Sequence, residues 1–342
     1  MIKLDSNESP FGPSVKAIGA MQAAVERGNR YPDNDAAELG SRLASMHGLA
    51  PDQLLVTAGL TDFLAILCRY ALKAGLNAVT SQRSFIVYSI ASKAAGGQLI
   101  ETPMQNHGLD LDAISAAINP DTRLVFLANP NNPTGTAFEA ADLDRFLARV
   151  PENVIVVIDE AYYDYAAHFA KTRGSEYSHS VDYVREHPNA LVLRTFSKAH
   201  GLAGLRVAYA MGRPELLKAL GRMRSTFSIS TAAQAGALAS LDDPDHLARA
   251  MQNNVAGANL LTRELSNMGY QVPQTWANFV YCEIGENARD FSKKMEAEGI
   301  LIRALGSWGA PTAIRVTIGN EQDNQAFLSA IRRIRATREV LD

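Results

Sequence analysis

The 342-residue chain is poor in cysteine and in net charge. Only Cys68 and Cys282 occur, far apart and without the spacing of metal ligands, so we expect neither a disulfide framework nor a metal site. The formal net charge of −3 gives no reason to expect a nucleic-acid partner. The chain also lacks a signal peptide and any apolar run of membrane-spanning length. We therefore predict a cytoplasmic protein without a membrane partner.

Two motifs of nucleotide-binding proteins are also absent. Neither G-x-G-x-x-G after a strand nor G-x-x-x-x-G-K-[ST] occurs. Their absence counts against a nucleotide-binding α/β protein, but that class and a purely interacting α/β protein stay open as alternatives. Apolar residues, by contrast, make up 47% of the chain. Such a chain can bury a large core, and its length favours two domains over one.

Apolar runs and helical patterns alternate through the first 245 residues. This rhythm predicts an α/β fold whose mostly parallel seven-stranded sheet is flanked by helices, such as those at 61–73 and 140–149. The predicted strands are 54–58, 77–81, 97–102, 123–128, 154–159, 190–195 and 206–211.

The pattern changes after about residue 245, where a long helix precedes short strands at 279–284, 300–303 and 313–318 and a final helix. We predict a smaller α+β C-terminal domain over 246–342 and a large domain over 31–245. Residues 1–30 are expected to form an N-terminal arm that packs on the small domain or on a partner subunit. Residues 166–188, which are polar and rich in His and Tyr, are interpreted as a surface excursion near the pocket.

The segment at 190–206, ALVLRTFSKAHGLAGLR, is the most informative one. A predicted strand ends in Thr195, Ser197 and Lys198, and a glycine-rich turn then leads to Arg206. A lysine amine forms Schiff bases with carbonyl cofactors, whereas hydroxyls and an arginine donate hydrogen bonds to a dianionic phosphate. Pyridoxal 5′-phosphate (PLP) carries both groups. Taken alone, a lysine after a strand is more often a solvated side chain.

Two other predicted strands end in polar groups that suit the same cofactor. The run at 154–158 is wholly apolar and ends in Asp159, which either caps a helix or pairs with a protonated pyridine nitrogen. Tyr162, three residues on, could donate to the phenolic oxygen of the ring. Asn132 lies in a turn rich in Asn and Pro, and it is either plain turn chemistry or a second donor to that oxygen.

A third strand end offers an anion site. The strand at 54–58 passes through Gly59 into a helix, and the free N–H groups at a helix start bind anions. Leu60 and Thr61 are therefore candidates to hold the cofactor phosphate, although this signal is weak alone.

Together these segments resemble the class I/II aminotransferases of PLP fold type I, and most closely the histidinol-phosphate aminotransferases. The likeness covers nearly the whole chain. Its segments are LDSNESPFGPS at 4–14, RYPD at 30–33, FLANPNNPTGTA at 126–137, VVIDEAYYDYA at 156–166, LRTFSKAHGLAGLRVAYAMG at 193–212 and IRVTIGN at 314–320.

The resemblance implies a role for each candidate residue. Lys198 would form the Schiff base and shuttle the proton, and Asp159 would pair with the pyridine nitrogen. Asn132 and Tyr162 would serve the phenolic oxygen. The phosphate ligands would be Thr195, Ser197 and Arg206, Phe85 would stack on the ring, and Tyr31 would reach the phosphate from the other subunit of a homodimer.

Two arginines are implied as substrate ligands. Arg315 matches the residue that binds the carboxylate of the keto acid and helps to hold the substrate phosphate, and Arg303 matches a second substrate arginine. The implied reaction exchanges an amino group between a small-molecule donor and a 2-oxo acid, namely 2-oxoglutarate. The alternatives are an aminotransferase for aromatic or other amino acids and a PLP decarboxylase of the threonine-phosphate type, which shares the cofactor ligands.

The chain departs from the family pattern at three places. It begins almost directly at Lys3, without the upstream Pro-Tyr segment of the family. Arg83-Ser84 replaces Pro-Thr before the stacking aromatic residue, and Phe63 replaces an acidic residue after the phosphate cradle. We expect all three to lie close to the pocket and to bear on the choice of amino donor.

Overall fold

The computed structural model describes residues 1–339. Its strands are β1 Ile2–Lys3, β2 Leu54–Thr57, β3 Asn77–Ser81, β4 Gln98–Thr102, β5 Met104–Gln105, β6 Gly108–Leu109, β7 Thr122–Ala128, β8 Ile155–Asp159, β9 Ala190–Thr195, β10 Ala208–Met211, β11 Phe279–Glu283, β12 Ile300–Leu301, β13 Arg303–Ala304 and β14 Ala313–Thr317. Its α-helices are α1 Val15–Val25, α2 Ala37–His47, α3 Leu60–Ala71, α4 Val87–Ala94, α5 Leu111–Ala117, α6 Ala140–Leu147, α7 Tyr163–Arg173, α8 Val181–Glu186, α9 Pro214–Gly221, α10 Thr231–Ser240, α11 Pro244–Asn267, α12 Ala288–Ala297 and α13 Glu321–Glu339.

A seven-stranded sheet forms the centre of the fold. The strand order is β2-β10-β9-β8-β7-β3-β4, and only β10 runs antiparallel to its neighbours. This confirms the predicted mostly parallel sheet, and two of the predicted strands, 77–81 and 190–195, have the observed bounds. The strand predicted at 206–211 begins only at Ala208, because Arg206 adopts a left-handed backbone conformation with φ of 55°.

Both faces of the sheet are buried, which explains the unbroken apolar runs. In β7, Val125 and Leu127 join the hydrophobic core on one face, whereas Leu124, Phe126 and Ala128 join the core on the other. The carboxyl ends of β7, β8 and β9 therefore meet at one edge of the sheet, and their last residues lie side by side.

A second sheet forms near the C-terminus. Strands β11, β14 and β13 pair antiparallel, and helices α11 to α13 help to bury a separate core that includes Phe291, Ile314 and Val316. The first residues of the chain join this region, since β1 pairs in parallel with β12. The domain limits near residues 30 and 245 stay a prediction.

The interpretation of residues 166–188 as a surface excursion is wrong. This stretch holds most of α7 and all of α8, and it buries Phe169, Tyr177 and Tyr183. Both helices are short, and only two of their buried residues, Phe169 and Val184, are neither tyrosine nor alanine, so the apolar pattern in the sequence is weak. None of the helices within residues 1–339 is long and apolar enough to cross a membrane.

Candidate active site

A cavity of about 560 Å³ lies where the carboxyl ends of the central strands face the C-terminal sheet. Twelve of the fourteen predicted site residues line it: Leu60, Thr61, Phe85, Asn132, Asp159, Tyr162, Thr195, Ser197, Lys198, Arg206, Arg303 and Arg315. Gly59 lies just behind the wall, and Tyr31 lies elsewhere. A cavity of about 690 Å³ near Met268 and Lys294 contains none of these residues.

Lys198 follows the end of β9, and its Nζ lies 3.3 Å from the Ser6 carbonyl oxygen, to which it donates. Burial lowers the pKa of its amine to about 8. Arg315 and Arg206 contribute to this lowering, whereas Glu8 opposes it. A lysine with so low a pKa is partly neutral near pH 7 to 8, so it is suited to attack a carbonyl carbon and to accept a proton.

Asp159 is the last residue of β8 and is only 5% exposed. Its Oδ1 accepts a hydrogen bond from the Ala161 amide at 3.1 Å, and its Oδ2 accepts one from the Tyr88 hydroxyl at 2.6 Å. Burial raises its pKa to about 6, although both hydrogen bonds lower it. No cation of the described residues forms an ion pair with it. A buried carboxylate without a cation is costly, so this oxygen pair fits a cationic ligand group.

Tyr88 was not predicted as a site residue. It stacks on Phe126 with ring centroids 4.6 Å apart, and its edge meets the Phe85 ring at 5.6 Å. It lies three residues after Phe85, but α4 begins only at Val87, so no helical spacing links the two rings in the sequence. Its role is to orient Asp159 beneath the cavity.

The Tyr162 hydroxyl receives two amide donors. Asn7 Nδ2 lies at 2.9 Å and Asn132 Nδ2 at 3.3 Å. Burial raises the pKa of Tyr162, while Arg315 and Asn7 oppose that rise. Asn7 belongs to the LDSNESP segment, and no signal in the sequence points to its contact with Tyr162. Asn7 is almost fully buried, and its hydrogen bond to Tyr162 connects the N-terminal segment to the cavity.

Donors of hydrogen bonds converge at the β9 end of the cavity. Thr195 Oγ1 lies 3.0 Å from Ser197 Oγ, and Arg206 Nη1 lies 3.4 Å from the same oxygen. Helix α3 begins beside them at Leu60, so its first N–H groups lack partners within the helix. No carboxylate of the described residues forms an ion pair with Arg206. This donor set fits a phosphate dianion.

Gly59 permits this arrangement. It has a φ of +88°, and a Cβ built on it would lie 2.5 Å from Nη2 of Arg206. The backbone conformation therefore favours glycine, and a Cβ here would also displace the Arg206 guanidinium.

Arg315 and Arg303 lie opposite each other on β14 and β13. Arg315 is 5% exposed, and it donates to Asn132 Oδ1 at 2.5 Å and to the Asp5 carbonyl at 2.7 Å. Its Nε is buried without a hydrogen-bond partner, and burial lowers its pKa to about 10. Arg303 is more exposed and forms an ion pair with Asp5 at 3.0 Å. Arg315 thus keeps an unused donor for an anion.

Two sequence departures have clear outcomes. Phe63 does not line the cavity, because it is fully buried in the core that α3 shares with the sheet. It shares that core with Leu60, which does line the cavity, and its bearing on the amino donor stays a prediction. Ser84 donates to Asn131 Oδ1 at 3.0 Å, and Arg83 reaches Tyr281 of the C-terminal sheet.

Tyr31 is 82% exposed and stacks on Phe227 with ring centroids 4.5 Å apart. Within one chain it contributes nothing to the cavity. Among the described residues, no group of three or more His, Cys, Asp or Glu side chains is placed to hold a metal ion.

Known proteins resemble this chain in sequence and in fold. Residues 1–331 match the family model described as aminotransferase class I and II. Histidinol-phosphate aminotransferase 2 of Pseudomonas fluorescens (strain Pf0-1) is 41% identical, over 98% of this chain and 89% of its own length. Histidinol-phosphate aminotransferase of Moorella thermoacetica is 39% identical, over 98% and 86%. The crystal structure of histidinol-phosphate aminotransferase from Sinorhizobium meliloti in complex with pyridoxal-5′-phosphate superposes with a TM-score of 0.90 at 28% identity, covering 97% of this chain and 91% of that one.

Proposed function

The chain belongs to the aminotransferase class I and II family, and we propose that it transfers the amino group of histidinol phosphate, or of a close analogue, to 2-oxoglutarate. Its cofactor is pyridoxal 5′-phosphate, and its fold is that of the PLP-dependent transferases of fold type I, as predicted. The observation that carries the choice of substrate is the pair Arg315 and Arg303, which line the same cavity as the proposed cofactor ligands. Two cations suit a donor that bears a phosphate and an acceptor that bears two carboxylates.

The residues of the cavity fit PLP at each of its polar groups. The donors at Thr195, Ser197 and Arg206, with the start of α3, would hold its phosphate. Asp159 would accept from its ring nitrogen, and Tyr162 would face its phenolic oxygen. When bound, PLP supplies an aldehyde that condenses with amines and a ring that accepts electrons from the substrate Cα.

Lys198 would then be the group that moves the proton. Its amine lines the cavity and is held by the Ser6 carbonyl, so it would lie within reach of a substrate bound there. Its lowered pKa lets the same amine accept a proton at the substrate Cα and return it one bond further along.

The pH dependence of cofactor capture tests this lowered pKa. Only the neutral amine attacks an aldehyde, so the rate at which apoprotein binds PLP covalently should rise about tenfold per pH unit and level off above about pH 8. Stopped-flow absorbance of the apoprotein mixed with PLP would record it. A rate that still rises at pH 10 would mean that Lys198 titrates like an ordinary lysine.

Arg315 is the proposed anion ligand. We expect Arg315→Met to raise KM for 2-oxoglutarate by roughly a hundredfold, because the buried guanidinium would no longer donate charge-assisted hydrogen bonds to a substrate carboxylate. Steady-state kinetics would measure it, with the exposed Arg289→Met as the control. An unchanged KM in a folded Arg315→Met protein would remove this arginine from the substrate site.

We further propose a homodimer with shared sites. The support is Tyr31, a large aromatic side chain that is mostly exposed, held by Phe227 and unused within its own subunit. Sedimentation equilibrium would show twice the chain mass, whereas a monomer at active concentrations would contradict the proposal. We keep the cytoplasm as the expected location, because the proposed substrates are small water-soluble anions.

The proposed function is tested by steady-state turnover. Purified protein with PLP, histidinol phosphate and 2-oxoglutarate should form glutamate, measured with glutamate dehydrogenase. Glutamate from phenylalanine but not from histidinol phosphate would point to an aromatic aminotransferase. Release of carbon dioxide from threonine phosphate, without glutamate, would identify the decarboxylase.

A further inference from the structure

The loop between β3 and α4 contains a residue in an unfavourable conformation. Arg83 has a φ of 50°, in the left-handed region that side chains with a Cβ rarely adopt. Such conformations persist where the surroundings hold them, and they cluster at functional sites. The loop continues directly into Phe85, whose ring lines the proposed cofactor cavity.

The side chain of Arg83 crosses to the C-terminal sheet. Its Nη1 donates to the Tyr281 hydroxyl at 3.3 Å and lies 3.6 Å from Glu283 Oε1. The Tyr281 hydroxyl in turn donates to Glu283, which also accepts from Thr312 Oγ1 at 3.0 Å. We call Arg83, Tyr281 and Glu283 the Arg83 latch. Both ion-pair partners are only partly exposed, so solvent screens them incompletely.

Each end of the Arg83 latch adjoins a part of the proposed active site. Tyr281 lies directly opposite Arg315 in the pairing of β11 with β14. On the other side, the Arg83 carbonyl accepts from Asn131 Nδ2 at 3.0 Å. Asn131 precedes Asn132, which accepts from Arg315 at 2.5 Å. A displacement at Arg83 would therefore shift Arg315 relative to the cofactor wall.

We propose that Arg83 is a positioning residue, which acts through the Arg83 latch to hold the Arg315 strand at a set distance from the Phe85 loop and so sets the affinity for the anionic group of the substrate. This inference rests on the proposed function, because it takes Arg315 as the anion ligand. It does not come from the family likeness, in which Pro-Thr occupies the place of Arg83-Ser84.

A double-mutant cycle in the PLP-loaded protein tests the proposal. The variants are Arg83→Met, Tyr281→Phe and the two combined, and the readouts are the dissociation constant of succinate, KM for 2-oxoglutarate and kcat. We expect each single variant to raise the dissociation constant of succinate about fivefold. The double variant should raise it no further than the more impaired single variant does, because the two groups form one contact. The change in kcat should stay below about twofold.

Arg123→Met is the matched control. Arg123 donates only to the carbonyls of Pro120 and Thr122, at the opposite end of β7, so succinate affinity should not change. Thermal melts identify variants that simply unfold. If Arg83→Met does not fold, a cycle of Arg83→Lys and Glu283→Gln takes its place. Each of these variants is expected to weaken succinate binding about threefold.

Several results would overturn the latch. Unchanged succinate affinity in folded variants would do so. So would a double variant whose loss of affinity equals the product of the two single losses.

The wild-type protein separates the latch from the proposed function. Wild-type protein that binds succinate but aminates no acceptor would contradict the proposed function while leaving the latch standing. Wild-type protein that does not bind succinate would remove the anion site and the latch together.

Discussion

Lys198→Ala is expected to lower the turnover number by roughly ten thousandfold or more. Among the described residues that line the cavity, Lys198 is the one lysine, so the substitution removes both covalent capture of PLP and the proposed proton carrier. The remaining ligands, Asp159, Ser197 and Arg206 among them, stay in place, so PLP should still bind without a covalent link.

Three measurements check this expectation. Glutamate formation gives the turnover number, absorbance with added PLP gives non-covalent binding, and circular dichroism verifies the fold. Lys73→Ala, at an exposed lysine after α3, is the control and should behave like wild type. Residual activity above about one per cent in a folded Lys198→Ala protein would mean that another residue carries the chemistry.

Asp159→Asn should have the second largest effect, a fall in kcat of about a thousandfold. The carboxylate is buried, and burial already raises its pKa to about 6 because no cation of the described residues compensates its charge. A cationic ring nitrogen would supply that compensation and would keep Asp159 ionised when PLP is bound. The neutral amide keeps the shape of the side chain but cannot stabilise a protonated ring.

Tyr88→Phe keeps the Asp159 carboxylate and removes only its hydrogen bond from the Tyr88 hydroxyl. The Tyr88 hydroxyl lowers the pKa of Asp159, so its removal should raise that pKa and reduce kcat by about tenfold, far less than Asp159→Asn. Asp112→Asn, at an exposed carboxylate of α5, is the control. The same glutamate assay gives kcat for Tyr88→Phe and for Asp159→Asn.

If kcat of Asp159→Asn stayed within tenfold of wild type, another group would have to serve the ring nitrogen.

Strand ends were the part of the site that could be predicted. An apolar run that stops at a polar residue is local information, and a parallel sheet brings such ends to one edge, so Asp159, Thr195 and Lys198 could be placed together from the sequence. Glycine in front of a helix start is also local, which made the region around Gly59 readable.

Contacts between distant segments were not predictable in the same way. Asn7 and Tyr162 are 155 positions apart, and Tyr88 and Asp159 are 71 apart, so no spacing rule links them. The same holds for Arg83 and Tyr281, whose contact depends on how the loop after β3 faces the C-terminal sheet. Phe63 lies close in sequence to the predicted phosphate site at Leu60 and Thr61, but its apolar side chain packs into the core on the buried side of α3.

The most direct test of the proposed function is a half-reaction followed by absorbance. Wild-type protein loaded with PLP would be mixed separately with histidinol phosphate, glutamate and phenylalanine. Under our proposal, histidinol phosphate and glutamate each replace the absorbance band of the lysine-bound cofactor with that of its aminated form. No change with either one, from protein that demonstrably holds PLP, would contradict the proposed reaction.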